Sequence, residues 1–176
     1  YQDKDLSEKL KNLVRPFILR RLKTDKDIIK DLPEKQEIKV YCSLTKEQAT
    51  LYQAVVNTAM SEIEDSEGIK RKGIILSTLT KLKQICNHPA HFLKDRSSIS
   101  ERSGKLNRLT EMLDEVFQNN EKCLIFTQFK EMGDILKQYL QEYSNKEILF
   151  MHGSIDRKNR ESIIKKFQEE QESKAF

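Results

Sequence analysis

The side chains best placed for chemistry in this sequence stand just after two short apolar runs. Thr127 and Gln128 follow Leu124-Ile-Phe126, and His152, Gly153 and Ser154 follow Ile148-Leu-Phe-Met151. Both sets read as strand carboxyl ends, where open α/β sheets bind ligands. Arg157, Lys158 and Arg160 come a few residues later, and Arg15, Arg20, Arg21 and Lys23 form a second basic group near the start; each group suits phosphate contact or a solvated face. A salt bridge from Arg160 to Asp156, four residues earlier on the same helix face, is the competing structural role for that arginine. Ser103-Gly-Lys105, read as a helix start, suits an anion through its backbone N–H groups and the lysine, although capping alone also explains it.

Other chemistries find less support. No Ser/His/Asp or Cys/His triad follows from spacing, and no G-x-x-x-x-G-K-[ST] loop or acidic metal box follows a strand, so this stretch carries no nucleotide phosphate cradle of its own. Cys86-x-His88-x-x-His91 invites a zinc reading, but such sites take about four ligands, usually as two pairs. Cys42 and Cys123 have no ligand-type neighbour at a suitable spacing. Asn87-His-Pro89 reads as a helix stop in which His88 packs or caps, and no metal is expected.

The elements that must position these residues follow from periodicity. Each apolar run is too short for a helix, and Met132, Ile135, Leu136, Tyr139, Leu140 and Tyr143 between them fall at helical spacing. Strand, helix and strand make a βαβ unit with parallel strands, which places the residues above at strand carboxyl ends. Upstream, Asp3–Val14 is an amphipathic helix stopped by Pro16, Asp31-Leu-Pro-Glu-Lys35 is a turn, and Glu37–Tyr41 alternates as a half-exposed strand does. Thr45-x-x-Gln48 is a capping box that opens a helix with Tyr52, Val55, Val56, Ala59 and Ile63 on one stripe. A second helix spans about 74–86, with Ile75, Leu79, Leu82 and Cys86 inward, and the pair forms a hairpin. Residues 94–102 read as a linker and Ser103 opens a third helix. Asp156 caps a last one with Ile163, Ile164 and Phe167 inward.

The formal net charge is +4, and 34% of residues are charged. The excess of cations lies before Glu101, an imbalance that permits nucleic-acid contact without demonstrating it. Three scattered cysteines fit buried reduced thiols in a cytoplasmic protein. No run approaches bilayer length. Both ends read as cut, and Ile125 and Leu149 are expected to be under-covered where further strands would lie.

The ordered stretches resemble the Swi/Snf-type helicase-like ATPases, superfamily 2 motors that translocate on double-stranded DNA. The matching pieces are Pro16-Phe-Ile-Leu-Arg-Arg-Leu-Lys23, Leu32-Pro-Glu-Lys35, Leu44-Thr-x-x-Gln48 with Leu51-Tyr52, Leu82-Lys-Gln-Ile-Cys-Asn-His-Pro89, Ser103-Gly-Lys-Leu106, Leu124-Ile-Phe-Thr-Gln-Phe129, and His152-Gly-Ser154 with Arg157, Arg160, Ile164 and Phe167. Their short connections look like those of a bacterial member. The resemblance implies an α/β fold, a partial RecA-like parallel-sheet lobe with a mainly helical appendage. Residues 1–44 would connect from lobe one, 45–102 would be a helical protrusion and linker, and 103–176 an incomplete lobe two, the helicase C-terminal domain. It implies ATP and Mg in the intact protein but none bound by this stretch. Double-stranded DNA, and nucleoprotein or transcription complexes, are the implied partners. Thr127, Gln128, Gly153, Ser154, Arg157 and Arg160 would be DNA contacts, and Arg20, Arg21 and Lys105 lobe-connection or phosphate contacts. The alternative is a non-catalytic helical module that docks proteins. An upstream G-x-x-x-x-G-K-T and a downstream Q-x-x-x-R-x-x-R would decide for the motor.

Overall fold

The computed structural model describes residues 4–18, 35–95, 97–170 and 175–176. They belong to two compact units, residues 1–40 and 41–176. In the first, α1 (Lys4–Val14) carries Asp5 in its first turn and Lys11 in its last, the order that suits the helix dipole. A single 3-10 turn, Arg15–Phe17, follows with Pro16 inside it. Arg20, Arg21, Lys23 and the Asp31–Lys35 turn, its last residue apart, lie outside the described residues. The strand expected at Glu37–Tyr41 is absent: residues 35–45 form no regular element, and Ile38 and Tyr41 are exposed. Alternation marks a strand only where a neighbouring chain completes its ladder.

The second unit is built on caps. Thr45 Oγ1 accepts the Gln48 N–H at 3.2 Å and Gln48 Oε1 accepts the Thr45 N–H at 3.1 Å, the reciprocal box that starts α2 (Lys46–Glu64). Its partner α3 (Gly68–Asn87) begins six residues before the expected start, so Lys70-Arg-Lys72 is helical. Its inward residues are Ile74, Leu82 and the fully buried Ile85, whereas Ile75 and Leu79 are exposed. α3 is apolar on two adjacent stripes, and spacing alone does not say which one α2 covers. His88 ends α3 and starts α4 (Pro89–Leu93): its Nδ1 accepts the Ala90 N–H at 3.0 Å and its Nε2 meets the Ile99 carbonyl at 2.9 Å. Ser103 Oγ accepts the Leu106 N–H at 3.3 Å and opens α5 (Gly104–Gln118). α6 spans Lys130–Ser144, and α7 spans Arg157–Glu169 under an Asp156 cap. Of α7's expected inward set, Ile163 and Phe167 are half-buried and Ile164 is exposed.

The core joins Leu113 of α5 and Leu140 of α6 to Ile148 and Ala175, with Leu109, Phe117, Cys123, Ile125 and Tyr139 packed around them. α6 lies so close to the second apolar run that a Cβ on Gly133 would fall 2.4 Å from the Phe150 ring, which glycine alone avoids. Lys122 anchors the far end of α7, donating to the carbonyls of Phe167 and, at 2.8 Å, Glu170.

The expected partial parallel-sheet lobe is not what forms. Among the described residues there is no strand and no sheet, and the regular structure is helical. What remains of strand pairing is two isolated parallel bridges, Cys123 to Ala175 and Ile148 to Ala175. The Ile125 N–H donates to the Phe176 carbonyl at 2.7 Å and the Leu149 N–H to the Ala175 carbonyl at 3.2 Å. Ala175-Phe176 thus sits between the two runs that the βαβ reading made neighbours. Two residues in the middle position close single bridges and no repeating ladder. The first run is also less buried than expected, with Leu124 and Phe126 exposed, while Ile148 and Leu149 are buried. Leu149 is therefore covered, contrary to expectation, and Ile125 is half-buried.

Candidate nucleic-acid interface

Thr127 and Gln128 occupy the exposed turn that delivers the chain into α6, where the Phe129 N–H donates to Thr127 Oγ1 at 3.4 Å. Phe129 is the N-cap residue and has no side-chain oxygen to offer, so α6 starts without a side-chain cap. Phe129 itself is held from behind by His91, whose ring meets it edge-on with centroids 4.9 Å apart. His91 is buried and neither ring nitrogen has a hydrogen-bond partner. Burial holds the imidazoles of His91 and His88 below their ordinary pKa.

The turn borders two clefts. On one side Thr127, Gln128 and Gly153 line a cleft of about 430 Å³, together with His152, Leu124, Phe126 and the ring of Phe176. On the other, Thr127 and Gln128 share a cleft of about 690 Å³ with α3 residues Leu79, Lys83 and Asn87 and with Lys105 of α5. Lys105 Nζ donates to Asn87 Oδ1 at 3.3 Å, which holds the ammonium group at the rim. The described lining of this second cleft includes two lysines and no carboxylate.

The remaining expected contacts sit at the turn after the second run. The Ser154 N–H donates to His152 Nδ1 at 3.3 Å and the Ile155 N–H to the His152 carbonyl at 3.2 Å, so the turn folds back on itself. Arg160 does not pair with Asp156. Its Nε donates to the Ile155 carbonyl at 2.8 Å and its Nη2 to the Gly153 carbonyl at 2.9 Å, clasping the turn, while the Asp156 carboxylate caps Asn159. Arg157 is 93% exposed and pairs with Glu161 at 2.9 Å. The structure therefore gathers Thr127, Gln128, Gly153 and Lys105 around one turn. Ser154 and Arg160 belong to the adjoining turn, and Arg157 is exposed on the surface of α7 and lines neither cleft. Lys83, Asn87 and the exposed Phe126 also line the second cleft and were not among the expected contacts. Lys83 and Asn87 lie within the Leu82–Pro89 stretch, which reads first as a helix ending. Among the described residues no three metal-ligand side chains converge. None of the described helices is long and apolar enough to cross a membrane.

Comparison with known proteins gives the family of this helical hairpin and the α5–α7 segment that follows it. The chain belongs to the SNF2-related helicase-like family: the SNF2-related domain matches residues 1–91 and the helicase conserved C-terminal domain residues 104–176. It is 40% identical to the putative ATP-dependent helicase/translocase YwqA of Bacillus subtilis, over 94% of this chain and 19% of that protein. It is 32% identical to the DNA repair and recombination protein RAD26 of Saccharomyces cerevisiae, over 92% of this chain and 15% of that one. Among solved structures it resembles the Sulfolobus solfataricus SWI2/SNF2 ATPase core in complex with dsDNA. That match has a TM-score of 0.78 and 46% identity, and covers 99% of this chain and 37% of the other. The chain thus spans about a fifth of the length of YwqA.

Proposed function

We propose that this chain is part of an ATP-dependent translocase or remodeller of double-stranded DNA, and that it supplies DNA-contacting and lobe-closing surfaces. The observation that carries this reading is the cleft between α3 and the Thr127–Phe129 turn, whose described lining has two lysines and no carboxylate. A duplex backbone is a dense row of negative charge, and surfaces of this kind bind it by releasing counterions. Lys105, Thr127, Gln128, Gly153 and Ser154 contact phosphates, with Lys83 joining them and Arg157 nearby. Arg160 keeps the 153–155 turn in shape and offers its remaining N–H groups to the same strand. Arg20 and Arg21 retain the lobe-connection or phosphate-contact role implied by the family.

Within that protein, residues 1–44 connect from a preceding lobe, 45–102 form the helical protrusion and linker, and 103–176 begin the helicase C-terminal domain. ATP and Mg bind the intact protein, not this piece, whose sequence has no phosphate-cradling glycine loop. The protein works in the cytoplasm, on DNA and nucleoprotein such as transcription complexes. Phosphoryl transfer depends on positioned charges from every part of a motor, so the isolated chain hydrolyses no ATP with or without DNA. The DNA reading is tested in the full-length protein with the double variant Lys83→Glu, Lys105→Glu. Two cations become two anions, and duplex affinity at moderate salt falls about a hundredfold, equally across sequences. Unchanged affinity would remove this cleft from the DNA path.

A further inference from the structure

Gln48 is fully buried, and its amide makes every hydrogen bond that an amide can make. Oε1 accepts the Thr45 N–H at 3.1 Å and the Gly104 N–H at 3.2 Å. Nε2 donates to the Ile85 carbonyl at 2.7 Å and the Cys86 carbonyl at 3.3 Å. One side chain on α2 thereby holds two carbonyls at the C-terminal end of α3, which has run out of helical donors, and the first N–H of α5, which has no helical acceptor. The capping box accounts for the Thr45 bond alone. The other three bonds reach across 37 residues or more of chain: two close the hairpin on the end of α3, and the third, from the Gly104 N–H, joins it to α5.

The same joint is tightened from both sides. Ser103 Oγ donates to the Asn87 carbonyl at 2.6 Å, and Thr45 Oγ1 donates to the Arg102 carbonyl at 3.0 Å. The Arg102 guanidinium grips the Glu47 carboxylate with Nε at 2.9 Å. A Cβ on Gly104 would lie 1.9 Å from the Ser43 carbonyl oxygen, so the approach leaves no room for a side chain. The residue after Gly104 is Lys105, and the residue after Cys86 is Asn87, the acceptor of the Lys105 ammonium. The Gln48 amide therefore fixes two backbone points, one residue before each member of the Lys105–Asn87 pair at the cleft rim.

We infer that Gln48 is a positioning residue for DNA contact. It touches no DNA, and it sets the place of Lys105 relative to the Thr127–Gln128 turn. This rests on the reading of Lys105 as a phosphate contact, and it adds the residue through which the helical hairpin controls that contact. An amide is required because both a donor pair and an acceptor pair must be filled at one buried point. Methionine fills the volume and makes none of the bonds. A buried glutamic acid stays protonated near neutral pH, since burial raises a carboxyl pKa, and then accepts the two N–H groups and donates to Ile85.

The test uses full-length protein and the salt dependence of its affinity for a duplex of random sequence, read well below each variant's melting temperature. K105A lowers the slope of log K against log salt by about one unit, the loss of one phosphate contact. Q48M lowers it by the same amount, the double variant Q48M/K105A falls no further than K105A alone, and Q48E keeps the wild-type slope at neutral pH. A purely structural Gln48 would lower the melting temperature in Q48M and leave the slope unchanged. That outcome, or a double variant that loses a second unit, overturns the inference while leaving the DNA reading standing. A wild-type slope in K105A overturns the DNA reading of Lys105 itself, and the inference with it. Should Q48M fail to fold, the slope is read on Q48E at about pH 9, where the ionised carboxylate faces two carbonyls and the same one-unit loss is expected.

Discussion

Two clefts of the larger unit differ in charge more than in size. The one between α3 and the Thr127–Phe129 turn has Lys83 and Lys105 on its described lining and no carboxylate. The other, about 1040 Å³ beside α5 and α6, is lined by Asp95, Glu101, Glu111, Asp114 and Glu142, with no lysine or arginine on its described lining. Its floor has Tyr139 stacked on Tyr143 at 5.9 Å, and the Tyr143 hydroxyl donates to both oxygens of Asp114, at 2.7 and 2.8 Å. That bond raises the pKa of the Tyr143 hydroxyl, whose loss of a proton would face the carboxylate. A net charge of +4 says little about which surface meets DNA. The local sign of charge says more, because phosphate is drawn to the first cleft and repelled by the second.

The comparison is broken most severely from below, by removing the core that supports both walls. Leu140 of α6 is 1% exposed and packs with Leu113, Ile148 and Ala175. Leu140→Ala should cost about 2–5 kcal/mol, the range for burying a cavity under well-packed neighbours. Chemical denaturation would show this as a lower midpoint with little change of slope. A loss under about 1 kcal/mol would mean that the core cluster is less continuous than its packing implies.

Acid acts on the wall between the clefts. Ala90 of α4 lines the acidic groove, and His91, one residue on, supports Phe129 of the lysine-lined cleft. Burial holds His88 and His91 below the ordinary 6.5. The unfolded chain therefore binds protons that the folded chain refuses, and stability falls as pH drops through 6.5 while staying level, for these groups, above it. Melting temperatures from pH 8 to about pH 5 should follow that course. His91→Phe, which keeps the aromatic contact, should flatten part of the decline. An equally steep decline in that variant would assign the effect to His88 alone.

The smallest effect is expected in the acidic groove. Tyr143 is 44% exposed, and Tyr143→Phe removes only its bond to Asp114. Stability should change by about 0.5–1 kcal/mol at most, and duplex affinity should not change. A clear gain or loss of DNA binding would place the groove on the DNA path.

The helices were legible because their signals are local. The Thr45–Gln48 box, Ser103, Asp156 and the His88-Pro89 stop each act within a few residues, and each forms as its sequence predicts. The early start of α3 and its choice of inward stripe depend on α2, which no window of α3 contains. The parallel sheet failed as a prediction for a related reason. Leu124-Ile-Phe126 and Ile148-Leu-Phe-Met151 have strand composition, but a sheet needs a neighbour of matching length. Ala175-Phe176 provides two bridges. Of the candidate site, the Thr127–Gln128 turn and Lys105 are named from the sequence, and the structure sets them along one cleft. Their convergence with Lys83 and Asn87 is not legible there, because it rests on Gln48 joining residues far apart in the chain.

The central claim, that the face carrying Lys105 and the Thr127–Gln128 turn meets DNA, is tested most directly by photo-crosslinking in the full-length protein. A photoreactive side chain is placed at Gln128 on that face, at Ser154 in the adjoining turn, and at Gln138 in the acidic groove. The account predicts adducts to duplex DNA from positions 128 and 154, lost in the Lys83→Glu, Lys105→Glu background, and none from position 138. Adducts from position 138 with none from 128 would contradict it.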